Sequence, residues 1–377
     1  NLDDESVMDR LARFLDYVDR TVASGYCHAN IGPEYTRAGE LLLRVEQRLQ
    51  NAVPNFTLKY DPAITPDGYA RLALETTMLC SNPAFANDRI HRETYPDDYT
   101  VVSCYNVLPL RGGAYCLDRI LLPHLAELAT GVDDFMDNLI PEATGALLEF
   151  MNERVRFIVE RSHFFESSFL VREGLIERER FCGMFGVAGM SECVERLLSP
   201  GSNHVYGTDP EANALAERIM ERICSQVAGF DAVYSEVAGG HFLMHAQAGF
   251  SDQKGVTPGV RIRVGEEPES LFDHIRMQAH MHRFFNTGVS DIFPIEPTAK
   301  GNPDALLDVV KGAFALDDKY LSFYSSDSDL VRITGFLAKR SEMERFQGGG
   351  AVLQDTAHDG LGNYTANHLA DRKVSLG

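Results

Sequence analysis

The sequence predicts an α/β protein with parallel strand pairing. Three observations lead there. Stretches with helical spacing alternate with short β-branched runs along most of the chain. No internal repeat or low-complexity stretch breaks that alternation. The length of 377 residues admits one large barrel or two domains with a sizeable core. Residues 5–23 place Val7, Leu11, Phe14, Leu15, Val18 and Val22 at the spacing of an amphipathic helix. A second helix is expected over 38–50, on Leu41, Leu42, Val45 and Leu49. Asn55–Tyr60 alternates like a strand. Thr65 is expected to cap the next helix, with Pro66 at its first position and Leu79 near its end. Tyr99–Ser103 reads as a strand and runs through Cys104 to Pro109, then into the turn signal Arg111-Gly112-Gly113. Helical spacing follows at 115–129, 133–161, 186–198 and 209–228. Phe242–Gln247, Val260–Val264 and Tyr320–Tyr324 read as strands, and Pro303–Phe314 as a helix. After Phe346 the chain is rich in Gly, Asp, Asn and His with weak periodicity, which predicts a loosely ordered tail.

Lys plus Arg number 35 and Asp plus Glu 55, a net charge of −20. So acidic a surface is a poor partner for a nucleic acid polymer. No apolar run reaches the roughly 18 residues that span a bilayer, and no signal peptide is visible, so a cytoplasmic protein is expected. The first residue is Asn1, which leads us to expect further chain on the N-terminal side. Seven cysteines stand far apart, at 27, 80, 104, 116, 182, 193 and 224, with no CxxC. That argues against a disulfide framework or a zinc ribbon and for reduced thiols.

Common chemical motifs are missing. There is no GxGxxG, no GxxxxGK[ST] and no GxSxG. Gly183, Gly186 and Gly189 are spaced wrongly for a phosphate loop and read as tight packing. His241 and His245 lie four apart, but without the metalloprotease Glu and in a strand-like segment. A structural or substrate-facing role fits them better than a metal. The same holds for His280 and His282. His163 and Glu166 are an acid/base pair or a buried structural pair; the spacing alone does not choose.

One segment is more informative. Asp329-Leu-Val-Arg-Ile-Thr-Gly-Phe-Leu337 follows a predicted strand near the C-terminus. A lone glycine there would be an ordinary turn. The sequence Arg332-Ile-Thr-Gly-Phe336 instead resembles the glycyl radical loop, Arg-Val-Ser/Cys/Thr-Gly-Tyr, with Ile for Val and Phe for Tyr. The chemistry demands glycine. A backbone Cα radical is stabilised by delocalisation over the amide nitrogen and the carbonyl, which requires a planar centre. A Cβ would crowd the flanking peptides in that geometry. Such a radical needs a thiol relay, because S–H and glycyl C–H bonds are close in strength. Among the seven cysteines Cys104 is preferred, since it ends a predicted strand in a loop bounded by Pro109 and Gly112-Gly113. Buried free cysteines are nevertheless mostly inert.

Longer blocks extend the likeness. VVSCYNVLPLRGG (101–113), SHFFESSFLVREGLIERERF (162–181), MFGVAGMSECV (184–194), CHANIGP (27–33), HAQAGFSDQKGVTPGVR (245–261) and GVSDI (288–292) resemble the YjjI family of glycine radical enzymes, over the chain up to about Phe346. The resemblance implies the ten-stranded α/β barrel of glycyl radical enzymes and ribonucleotide reductases, with cysteine and glycine loops meeting at its centre. It implies a barrel body over 1–318, a glycyl radical strand and loop over 319–347, and a tail over 348–377. It maps the radical onto Gly335 and the thiyl onto Cys104. It implies no bound cofactor beyond the radical, which a separate radical S-adenosylmethionine iron–sulfur activase installs under anaerobic conditions. It is compatible with a homodimer and implies a small-molecule substrate. Polar residues expected at the site are His28, Asn30, Ser103, Asn106, His163, Glu166, His245 and Gln247. No metal ligand is expected: no cysteine follows Cys224, so the four-cysteine zinc site usual in anaerobic ribonucleotide reductases has no counterpart. Nor is there the Cys-Cys of pyruvate formate-lyase, and Asn106 stands where diol dehydratases carry Glu. The reaction is left as lyase, dehydratase or reductase. The alternatives are a reductase-like enzyme without the zinc site, or a non-catalytic radical-carrying relative.

Overall fold

A computed structural model describes residues 3–22, 25, 27–102, 106–198, 204–246, 255–289, 291–333, 335–353 and 355–373. Thirteen strands occur among them: β1 (His28–Ile31), β2 (Asn55–Tyr60), β3 (Ala84–Asn87), β4 (Tyr99–Val102), β5 (Asn106–Pro109), β6 (Gly113–Leu121), β7 (Phe181–Ala188), β8 (Leu243–His245), β9 (Phe293–Ile295), β10 (Tyr320–Leu321), β11 (Phe323–Ser325), β12 (Leu330–Arg332) and β13 (Leu337–Lys339).

Two parallel ladders form the frame. One is β1–β2–β3, the other β6–β7–β8. Parallel neighbours need long crossovers, and helices fill them, at Arg37–Leu49 and Asp67–Cys80 in the first ladder and within 122–172 and 190–228 in the second. All residues of β2 and β7 are buried, as expected when both sheet faces are covered. β10 pairs antiparallel with β3, while β11, one residue on, pairs parallel with β9. The single expected strand 320–324 is thus two, switching partner at Ser322, whose hydroxyl donates to the Asp291 carbonyl at 2.7 Å. A parallel bridge, Ala246↔Val289, extends the second ladder toward β9.

Two hairpins sit against this frame. β4 and β5 pair antiparallel from Tyr99↔Pro109 to Val102↔Asn106, on either side of residues 103–105. β12 and β13 pair from Leu330↔Lys339 to Arg332↔Leu337, enclosing Gly335.

Helix boundaries follow local chemistry. Asp3, Thr36, Asp209 and Asn302 side chains accept from Ser6, Gly39, Ala212 and Ala305 amides at 2.8 to 3.2 Å, satisfying first-turn donors. Pro66, not Thr65, is the N-cap of the helix Asp67–Cys80, and the Thr65 hydroxyl accepts from the Asp61 amide instead.

The largest departure is at 115–129. Residues 113–121 are β6, and only Leu122–Leu128 is helical. Pairing with β7 over seven registered positions outweighs the local helical spacing. Likewise the start of the expected helix 186–198 belongs to β7, and the helix begins at Met190. Residues 260–264 form no strand. The tail carries a helix, Asp355–Ala366, whose Gly360 lies against the side chains of Ala338 and Met343. Packing on the glycine hairpin supplies what its weak periodicity lacks. No helix among the described residues is long and apolar enough to cross a membrane.

Candidate active site at the glycine hairpin

Gly335 is buried in the β12–β13 hairpin. The Ile333 amide donates to the Phe336 carbonyl at 3.0 Å, closing the loop. Ile333 and Phe336 are each 1% exposed and pack with Tyr324, Met343 and Ala357. The glycine is thus enclosed by apolar side chains.

Arg332 anchors the loop from beneath. Its fully buried guanidinium donates to Asn55 Oδ1 at 3.2 Å and to the Ser81 carbonyl at 2.6 Å. Arg372, near the end of the described chain, donates to the Arg332 carbonyl at 3.2 Å. Burial pushes the Arg332 guanidinium down to about 9, so its neutral oxygen partners do not fully replace water. Arginine's role here was legible only as a letter of the motif; its partners Asn55, Ser81 and Arg372 gave no sequence signal.

β1 brings the expected residues together. His28 Nε2 lies 3.2 Å from the Gly335 carbonyl. The carbonyl accepts, so Nε2 carries the proton. Burial lowers the ring to about 4, so it is a neutral donor. Two residues on, and therefore on the same face of the strand, Asn30 clamps β4. Its Nδ2 donates to the Val101 carbonyl at 2.9 Å, and its Oδ1 accepts from the Val101 amide at 2.7 Å. One strand face thus holds the glycine loop and the β4–β5 hairpin. Asn106 is buried at the start of β5, opposite Val102. Ser103, Cys104 and Gln247 lie outside the described residues.

The other cysteines can be sorted by environment. Cys27 precedes His28 and packs on the other side of β1, near Val18, Cys80 and Leu337. Cys80 is bonded to the Thr76 and Asn82 carbonyls. Cys116, Cys193 and Cys224 belong to the helix-facing core of the second ladder. Cys182 packs with Leu108, Met184 and Leu243, beside the β4–β5 hairpin. Burial raises all six thiols, so each stays protonated near neutral pH.

His245 is fully buried on β8. His163 and Glu166 are not brought to this group. They are 70% and 66% exposed and 3.8 Å apart, neither a buried pair nor neighbours of Gly335. A cavity of about 430 Å³ lies behind Ile333, lined by charges such as Arg261, Asp291 and Arg372. Among the described residues no cluster of His, Cys, Asp and Glu could hold a metal ion.

Comparison with known proteins fits this geometry. The profile of a family described as "Glycyl radical enzyme YjjI-like" matches residues 1–375. An uncharacterized protein of Haemophilus influenzae is 38% identical over 376 residues, covering 99% of this chain and 73% of its own. YjjI of Escherichia coli is 36% identical over 349 residues, 92% of this chain and 67% of its own. Among solved structures, the glycerol-bound B12-independent glycerol dehydratase of Clostridium butyricum superposes with a TM-score of 0.76 over all of this chain and 62% of its own. At 11% identity that likeness is one of fold.

Proposed function

Since the chain belongs to the YjjI-like glycyl radical enzyme family, we propose that Gly335 stores a Cα radical and Cys104 relays it to a small substrate. In the first step the Gly335 radical takes the hydrogen atom of the Cys104 thiol, restoring glycine and leaving a thiyl. In the second the thiyl takes a hydrogen atom from a substrate C–H bond, restoring the thiol and leaving a substrate radical. The last step reverses the first two after the substrate rearranges. Each transfer moves one proton and one electron together, so no external oxidant is consumed per turnover.

The observation that carries this reading is the paired grip of β1. His28 holds the Gly335 carbonyl and Asn30 holds Val101, three residues before Cys104. Hydrogen transfer requires contact between donor and acceptor, and a shared strand fixes two loops against each other. Among the six described cysteines, Cys116, Cys193 and Cys224 lie in the helix-facing core, Cys80 is hydrogen-bonded to backbone carbonyls, Cys27 packs with Val18, Cys80 and Leu337 on the other side of β1 from His28, and Cys182 sits beside the β4–β5 hairpin without a loop of its own. The radical itself is expected to come from a separate radical S-adenosylmethionine activase with an iron–sulfur cluster, acting in an anaerobic cytoplasm.

Electron paramagnetic resonance on the activated protein tests the assignment. A doublet from the single remaining α-hydrogen of Gly335 is expected, and Gly335→Ala should abolish it. In deuterated water the thiol exchanges its proton, and reversible transfer should collapse the doublet to a singlet. Cys104→Ser should keep the doublet and stop the collapse. A doublet that persists in Gly335→Ala would refute the radical site; collapse that persists in Cys104→Ser would move the relay to another cysteine.

A further inference from the structure

Lys319 stands immediately before β10, with its backbone fixed from three sides. Its amide donates to His282 Nδ1 at 3.1 Å. Its carbonyl accepts from His91 Nε2 at 3.1 Å and from the Asn87 amide at 3.0 Å. These bonds set where the side chain leaves the strand. Its Nζ then donates to the Phe285 carbonyl at 2.6 Å, just past the helix Leu271–His282.

That acceptor is a neutral carbonyl, and this sets Lys319 apart. Lys59, Lys300 and Lys311 each meet a carboxylate oxygen, at 3.1, 2.7 and 3.0 Å, and Lys339 meets Asp19 at 3.9 Å. Asp317 and Asp318 act on Lys319 only at longer range, and Asp317 is taken by Arg89 at 2.6 Å. Burial outweighs those two acids and pushes the ammonium down to about 8. An ordinary lysine keeps only about one amine in 250 unprotonated at that pH. Lys319 keeps about half, and an unprotonated amine is a nucleophile.

The side chain also has a place for a reagent. Lys319 lines a groove of about 410 Å³ whose apolar part is Ile90, Ala279 and Leu316. The arginines on its rim are occupied, Arg89 by Asp317 and Arg283 by Glu217. The groove therefore offers a nucleophile and an apolar wall, and no unpaired arginine to hold an anion.

We propose that Lys319 is an acylation site that takes a small uncharged acyl group from an activated carboxylic acid, a thioester or an acyl phosphate. The amine attacks the acyl carbon and forms the C–N bond. The C–S or C–O bond breaks, the thiolate or phosphate leaves with its electron pair, and the proton of the amine goes to water. The product selects the class. An acylated Nζ keeps one N–H for the Phe285 carbonyl and is uncharged where the chain is half-buried. A neutral imine, formed from an aldehyde, would have no N–H for that carbonyl. A carbamate or a succinyl group would set a new negative charge beside Asp317 and Asp318. Loss of the ammonium leaves Asp318 at ease, because burial pushes its carboxyl well up and it is already uncharged. The site goes beyond the radical chemistry and does not rest on it.

The test uses the unactivated parent protein, so it needs neither the radical nor a variant that folds. The probes are acetyl phosphate and the acetyl thioester of N-acetylcysteamine, and the acylated lysines are read by peptide mass spectrometry over time. Near neutral pH Lys319 should be acetylated about tenfold faster than the ion-paired Lys300 and Lys311 and the exposed Lys373, as its larger free-amine fraction requires. The faster of the two donors names the source. The Lys319 rate should level off above about pH 8, while those of the other lysines keep rising. The succinyl thioester of the same carrier should label Lys319 several times more slowly than the acetyl one. Lys319 labelled no faster than Lys373 by either donor, a rate that climbs without levelling, or succinyl transfer as fast as acetyl would each overturn the site. None of these outcomes bears on the Gly335 doublet, and loss of the doublet would leave the acylation result intact.

Discussion

At the scale of single residues, the contact between His28 and the Gly335 carbonyl has a direct chemical consequence. A glycyl radical is stabilised by electron donation from nitrogen and withdrawal by the carbonyl. A donor on that carbonyl, 3.2 Å away, strengthens the withdrawal. His28 is therefore expected to prolong the radical beyond what burial alone achieves. His28→Ala should shorten the lifetime of the doublet by about three- to tenfold, the range of one neutral hydrogen bond, and alter its splitting. His28→Gln, which keeps a donor, should restore part of it. Decay followed by electron paramagnetic resonance without oxygen distinguishes the two, and equal lifetimes in all three proteins would show that His28 only packs. Arg332 acts on the same loop differently. Its partners at Asn55 and Ser81 tie the loop to β2 and to the end of the helix Asp67–Cys80, so its removal should cost stability before it costs chemistry.

At the scale of elements, β1 is the strand that couples the two hairpins. Asn30 makes a reciprocal pair of bonds with one residue of β4. Truncation to Ala would leave the Val101 amide and carbonyl without these partners, at a cost of about 1–3 kcal/mol. We expect Asn30→Ala to form the Gly335 doublet normally once activated, and to collapse it in deuterated water more slowly than the parent. That split separates positioning from radical storage. Unchanged collapse would show that the hairpin holds its place without Asn30. The helix Asp355–Ala366 plays the complementary part. Its Ala357 and Gly360 close the outer side of the glycine hairpin, where a Cβ on Gly360 would lie 2.9 Å from Ala338 Cβ.

At the scale of the whole molecule, half-buried His28 and fully buried His91, His245 and His282 set the pH response. Burial lowers His28 to about 4 and His91, His245 and His282 to about 3. Below their ordinary value near 6.5 the unfolded chain binds protons that the native state refuses, so stability is lost as pH falls. Each ring contributes roughly 1.4 kcal/mol per pH unit within that window. Glu46 works the other way: burial raises it to about 8, so its contribution is present at low pH and lost as pH rises. Glu46 and Asp318, the carboxyls that burial raises furthest, offset only part of the four rings, which leaves a net loss on acidification. The thermal midpoint should therefore fall steeply between about pH 6.5 and about pH 5; a flat profile would mean the rings gain protons in place. Oxygen gives a second whole-molecule test. A peroxyl formed on Gly335 should cut the chain there and release a piece running from Phe336 to Gly377, detected by mass after activation and exposure to air. The unactivated protein should stay whole.

The sequence by itself determined the α/β class, the strand Asn55–Tyr60 to the residue, and the Gly335 motif after a C-terminal strand, because alternation and motif are local signals that neighbours along the chain carry, while the hairpin of β12 and β13 around Gly335 was not among its expectations. It also singled out His28 and Asn30, through a block of family likeness. Tertiary structure decided the rest. Residues 113–121 have helical spacing yet form β6, because seven cross-strand partners in β7 compete with local preference and win. The tail gains a helix because the glycine hairpin gives it a surface to bury against. His163 and Glu166, open in sequence between an acid/base pair and a buried structural pair, are both exposed, since spacing says nothing about which groups meet solvent. The register that sets Arg119 beside Gly186 and His245 is likewise a tertiary fact, because a sheet brings together residues that lie far apart along the chain.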